Sequence, residues 1–166
     1  MTNHKVTHDS ETPATGQQVI VACAFIYHNF DGVNKVFLAQ RARTKKFLPG
    51  VFEIPGGHID FGEDVAAGLR REVREELGKD IVLGGVFSAF TYMNAIKGAH
   101  AIEVTYFARF AGATDDYQLH PDDHMAAGWF SEDQYDVFAV NRDPDDQELV
   151  VIKRGFALLA GTPVFE

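Results

Sequence analysis

Apolar positions run without interruption over residues 19–27 (VIVACAFIY), a β-branched stretch that reads as a strand buried on both faces. The turn chemistry of HNFDGVN follows, and residues 35–41 (KVFLAQR) predict a second strand, so the pair forms a hairpin. Residues 51–54 give a short third strand that runs into Pro55, Gly56 and Gly57. The period then changes. Over residues 64–77, Val65, Leu69, Val73 and Leu77 recur every four positions and Ala66 widens the stripe, which predicts a helix that Gly78 stops. Further strands are expected over residues 81–92 and 101–110, joined by a loop containing Asn94 and Gly98, and over residues 127–130 after a long acidic loop. Ser131 with Gln134 three positions on marks a capping box for a brief helix. Asp143 followed by Pro144 marks the cap and first residue of a last helix reaching about Leu159. Without a repeat or a low-complexity stretch, these elements make a single α/β domain with a mixed sheet over residues 18–166, preceded by a flexible N-terminal tail over residues 1–17.

Composition narrows the chemistry. A chain of 166 residues, 46% of them hydrophobic, can fill one core. Its 24 acidic and 15 basic residues leave a formal charge of −9, the wrong sign for a protein that holds nucleic acid by its phosphates. A phosphorylated small molecule would need a metal cation as a bridge. The one cysteine, Cys23, sits in the first apolar run, so it is expected as a buried thiol in a reducing, cytoplasmic setting. No apolar run approaches a membrane span.

The informative segment is residues 57–79, GHIDFGEDVAAGLRREVREELGK. A glycine turn enters a helix on which Glu72, Glu75 and Glu76 lie within an arc of about 100°, beside the apolar stripe. Like charges at these spacings cost about 0.2–0.5 kcal/mol per pair on an isolated helix, which leaves two readings: solvated acids relieved by Arg71, or a site for a hard cation that prefers oxygen ligands. The segment resembles the Nudix box, G-x5-E-x7-R-E-U-x-E-E-x-G-U with U a bulky aliphatic: Gly57, Glu63, Arg71, Glu72, Val73, Glu75, Glu76 and Gly78 match in register. At ordinary residue usage such a match arises by chance on the order of 10⁻⁶ per chain. The final U is Lys79, and Ile81 or Val82 is expected to fill the space it leaves.

The resemblance implies a Nudix α/β/α sandwich that hydrolyses a nucleoside diphosphate linked to another moiety with Mg²⁺, or Mn²⁺ as a substitute. Carried over position by position, the Gly57 carbonyl, Glu72, Glu75 and Glu76 are the metal ligands, while Glu63 and Arg71 pair to hold the loop against the helix. Glu72 and Glu76 compete as catalytic base with acids outside the box, of which Glu53 is favoured for auxiliary or base work; Glu103, Asp122 and Asp123 are weaker candidates that read first as surface acids. His124 could contact phosphate but reads first as a surface loop histidine, and Trp129 reads as core. Tyr92 could stack a base, and Asn141 could read a base edge. A MutT-like nucleoside triphosphate pyrophosphohydrolase is the leading reading. An ADP-ribose or nucleotide-sugar pyrophosphatase is second, although the subfamily positions after the box carry Ala95 and Ile96 instead of the marking proline and tyrosine. A non-catalytic nucleotide-sensing module is the alternative of another class. The expected partner is a nucleotide, not a nucleic acid polymer or a membrane, and the expected state is a monomer or homodimer.

Overall fold

The computed structural model describes residues 9–162. Strand β1 (Gln18–Phe30) organises the sheet because it is shared by several partners. Its residues 18–26 run parallel to β6 (Ala99–Phe110), while Val21, Ala22 and Cys23 pair antiparallel with β4 (Gly56–His58), and Tyr27 to Phe30 form the hairpin with β2 (Val33–Arg41). Strand β5 (Ile81–Asn94) closes one side against β6; β3 (Phe52–Glu53) and β7 (His124–Ser131) both pair with β2. The result is a mixed seven-stranded sheet.

Alternation along β1 explains why both faces need a cover. Val19, Val21, Cys23 and Phe25 face one core, completed by Phe138 of α2 (Tyr135–Phe138) and by Leu149, Ile152 and Phe156 of α3 (Gln147–Leu159). Ala22, Ala24 and Ile26 face the other, completed by Leu69, Val73 and Leu77 of α1 (Val65–Leu77). This is the expected α/β/α sandwich. No helix among the described residues is long and apolar enough to cross a membrane.

Several local expectations change. Asp64 caps α1 by accepting from the Ala67 N–H at 3.0 Å, and Gly78 ends it in the left-handed conformation, as the pattern requires. Helix α3, however, begins at Gln147 with Asp146 as its cap, so residues 143–146 form a turn closed by Asp146 N–H to Asp143 C=O at 3.0 Å. Asp146 is fixed there by buried Arg142, whose Nη1 donates to both of its oxygens at 2.9 Å. The space vacated by the missing aliphatic is filled by Ile81, buried beside Leu77, while Val82 is exposed. Lys79 buries its stem and donates its ammonium to Ala113 C=O at 2.8 Å and to Asp116.

Of the expected N-terminal tail, residues 1–8 lie outside the described residues, whereas residues 9–17 pack against the body. Ala14 is 2% exposed. The Lys97 ammonium donates to the carbonyls of Asp9 and Thr12 at 2.9 and 2.7 Å, and Asn94 donates to Ser10 C=O at 2.9 Å. A polar segment is held here by its backbone carbonyls, which leave no apolar periodicity to read.

Candidate active site

The turn before α1 and the helix itself are joined through Arg71. Its Nε and Nη2 donate to the two oxygens of Glu63, both at 2.9 Å, and Nη2 also donates to the His58 carbonyl at 3.0 Å. Glu63 in turn accepts from the Asp60 N–H at 3.0 Å. The pair therefore staples loop to helix, the geometry expected of Glu63 and Arg71. Nη1 of the same guanidinium reaches Glu72 at 2.8 Å and Glu75 at 3.2 Å. Glu72 lies against the Cα of Gly57: a Cβ there would sit 2.3 Å from Glu72 Oε2 and displace the carboxylate. Gly56 is more strictly constrained, since a Cβ would lie 2.1 Å from the Ala22 backbone carbonyl of β1.

One turn further along α1, Glu76 points to a different set of partners. It accepts from the Gly56 N–H at 3.1 Å and presents a ligand atom within 4.8 Å of those of Glu53 and His124. Glu53, on β3, is bonded to His124 Nε2 at 2.7 Å and to Arg41 Nη1 at 3.2 Å, and Arg41 Nη2 donates to Ser10 Oγ at 3.1 Å. His124, on β7, is only 2% exposed, contrary to its reading as a surface histidine. Glu75, by contrast, leaves 60% of its side chain in solvent. Thus the structure brings Glu53 and Glu76 together, sets Glu72 beside Gly57, and leaves Glu75 outside the cluster.

The electrostatics follow from this packing. Burial, reinforced by Glu53 and Glu72, pushes Glu76 well above the usual carboxylate range. Burial also raises Glu72, to about 7, against the opposing pull of Arg71. Burial acts on Glu53 in the same sense, but Arg41 and the His124 hydrogen bond outweigh it and hold this carboxyl below its ordinary value. The acids that share the site are therefore pushed apart in acidity by one arginine and one histidine.

The cluster opens into a cavity of about 340 Å³. Its apolar wall is built from Phe47, Ile54, Phe90 and Tyr92, with Tyr92 stacked on Phe47 at a centroid distance of 6.2 Å. Glu103 and Cys23 line its buried side, and Lys45, paired with Asp123 at 2.6 Å, stands among the polar groups. Tyr92 is thus on the cavity. Asn141 is not: it adopts a left-handed backbone (φ 64°) and lines a separate depression with Gln40, Arg43 and Met125. Glu103, read from sequence as a surface acid, is buried, and Trp129 packs with Phe37 as expected.

A profile of the NUDIX domain matches residues 17–155. The chain belongs to the NUDIX family. Nucleoside triphosphatase NudI of Salmonella schwarzengrund is 32% identical over 81 residues, 49% of this chain and 54% of that relative. The chain therefore spans about half the length of the curated relatives it matches. Among solved structures, the Ap4A hydrolase of C. elegans superposes with a TM-score of 0.69 at 23% identity, covering 86% of this chain and 98% of the other. A MutT NUDIX hydrolase from Burkholderia pseudomallei superposes with a TM-score of 0.58 at 27% identity, covering 83% and 98%.

NUDIX hydrolases use divalent metals, and this donor set fits one. Carboxylate oxygens with a single imidazole nitrogen are donors that a hard divalent cation takes, and Glu53, Glu76 and His124 present them within 4.8 Å of one another. Glu53 and His124 were the residues hardest to find in the sequence as a pair. They are 71 positions apart, and only the pairing of β2 with both β3 and β7 brings them together.

Proposed function

We propose that this NUDIX protein hydrolyses a nucleoside diphosphate linked to another moiety, acting as a MutT-like nucleoside triphosphate pyrophosphohydrolase that releases nucleoside monophosphate and pyrophosphate. The observation that carries the reading is the buried cluster of Glu53, Glu76 and His124, one turn of helix from Glu72, at the mouth of an aromatic-walled cavity. Glu72, Glu75, Glu76 and the Gly57 carbonyl would hold Mg²⁺. When bound, the cation neutralises charge on the diphosphate oxygens. Water attacks one phosphorus of the anhydride; the pyrophosphate leaves, and the water proton passes to a carboxylate. Glu53 is the favoured acceptor, because Arg41 and His124 fix its orientation and keep it ionised; Glu72 and Glu76 are its competitors. Tyr92 and Phe90 give the base an aromatic face.

The likeness to a nucleoside triphosphatase supports the triphosphate assignment. The test is a Mg²⁺- and Mn²⁺-dependent screen of nucleoside triphosphates, ADP-ribose, nucleotide sugars and dinucleoside polyphosphates, with phosphate and pyrophosphate detected separately. Pyrophosphate release from triphosphates is the expected outcome. Preference for ADP-ribose or a nucleotide sugar replaces the substrate assignment, and binding without turnover of any substrate makes the chain a sensing module.

A further inference from the structure

The buried side of the cavity holds a carboxyl that the hydrolysis of a diphosphate does not use. Glu103 lies on β6 between Val21 of β1 and Phe90 of β5, its partners in register, so the three side chains share one row of the sheet face that lines the cavity. It is 6% exposed, and its Oε1 has no hydrogen-bond partner. An acid left in that condition is costly to bury. The arginines nearby donate their hydrogen bonds elsewhere. Arg142 is spent on Phe52 C=O, Asp146 and Glu148, and Glu148 on the Ile54 N–H and Arg142. Arg41 is spent on Glu53, Ser10 and Phe47 C=O. The Cys23 thiol donates to the Glu103 carboxyl, and a thiol is a weak donor.

We propose that Glu103 is a specificity-determining residue that accepts a hydrogen bond from the exocyclic amino group of a nucleobase seated between Phe90 and Tyr92. This rests on the nucleotide reading above and narrows it to amino-bearing bases. The choice of an amino over a carbonyl edge follows from charge: Glu103, Glu148 and Glu53 line one cavity whose arginines are already engaged. A carboxyl oxygen accepts from an amino group in either protonation state, whereas a carbonyl edge is met only by the protonated acid. Sites built around such a buried acceptor discriminate strongly against an analogue that lacks the donor.

The test compares bases of the same shape that differ in this group. Binding of CMP against UMP, and of GMP and AMP against IMP, is measured by calorimetry on the whole chain with Mg²⁺ present, at a pH above the value of about 8 to which burial raises Glu103; these monophosphates carry no anhydride, so the outcome does not depend on turnover. At least one amino-bearing nucleotide is expected to bind about tenfold or more tighter than its oxo or des-amino counterpart. Glu103→Gln, which keeps the shape but adds a donor of its own, is expected to bring that ratio within about threefold. Where turnover is followed, the change falls on KM and leaves kcat largely in place. Equal affinities in the unaltered protein, a preference for the oxo base, no nucleotide binding, or a ratio unmoved by Glu103→Gln each overturn the assignment. The nucleotide-hydrolase reading fails separately, if no anhydride substrate is turned over with Mg²⁺ or Mn²⁺.

Discussion

Gly57 and Glu72 occupy space that one methyl group would contest. Gly57→Ala places a Cβ 2.3 Å from Glu72 Oε2, so the carboxylate must swing away; the helix keeps its apolar face, and the protein is expected to fold. Divalent-dependent turnover should fall about 10²-fold, as when one electrostatic partner of a transition state is lost, with circular dichroism unchanged. Glu76→Gln asks a different question, because it removes a charge from a crowded acidic cluster. Without cation the variant should melt at or above the parent temperature, gain less from Mg²⁺, and lose about 10²-fold or more in turnover. Arg74→Gln, an exposed change, is the control. A Glu76→Gln protein that melts well below its parent and stays fully active would mark Glu76 as structural. The same acids set the pH response. Glu72 and Glu103 are raised to about 7 and about 8 by burial, and Glu76 is raised well above its ordinary 4.5. Between those values and 4.5 the folded state holds protons that the unfolded chain has released, so stability falls as pH rises through that window. Glu53, depressed, acts oppositely: its contribution is present above the unfolded value and lost as pH falls through the folded one. The cation-free melting temperature should therefore decline from about pH 5 to about pH 8, and Mg²⁺ should reduce the decline by binding ionised carboxylates. A melting temperature that climbs across that range contradicts the arrangement.

Residues 9–17 and helix α1 mark the two extremes of what an element reveals before it folds. Helix α1 carries its own signature: an apolar stripe at helical spacing, Asp64 as cap and a left-handed Gly78. That is why Glu72 and Glu76 could be placed on one helix from sequence. Strand β4 carries none. Two glycines and a histidine read as a turn, and they become a strand because the missing side chains admit the backbone of β1. The start of α3 was expected at Asp143 and Pro144 and lies instead at Gln147, because buried Arg142 holds Asp146 in place as the cap. Glu103 and His124 were read first as surface groups for the same reason as β4: burial of an acid or an imidazole depends on which distant strand lies alongside. The N-terminal segment yields the sharpest expectation at this scale. Deleting residues 1–15 removes two carbonyl acceptors from Lys97 and the Ser10 hydroxyl from Arg41. Thermal or urea unfolding should show a loss of about 2–3 kcal/mol, and turnover should drop because Arg41 orients Glu53. Unchanged stability and rate would mean that the segment merely rests on the body.

At the scale of the whole molecule, a chain of net charge −9 gathers Glu53, Glu76, Glu103 and Glu148 around one cavity, with Arg41 and Arg142 among them. The sheet that frames the cavity is assembled from distant parts. The longest pairing of β1 is with β6, about eighty residues later in the chain, and β2 waits as long for β7. Pairings of this separation pay their loop-closure entropy before any contact rewards it. Refolding followed by tryptophan fluorescence, with Trp129 on β7 as the probe, should therefore be slow for a chain of this size, in milliseconds to seconds rather than microseconds. A fragment ending at residue 98 should stay unfolded or aggregate, for it contains β1 without the strand that covers its long parallel edge. On a ribosome the same geometry imposes a delay: the hairpin and helix α1 emerge early, yet the pocket has no floor until β6 arrives and no His124 until β7 follows. The growing chain thus carries Glu53, Glu72 and Glu76 before it owns the strands that enclose them, and the interval between them is the time in which a chaperone has something to hold.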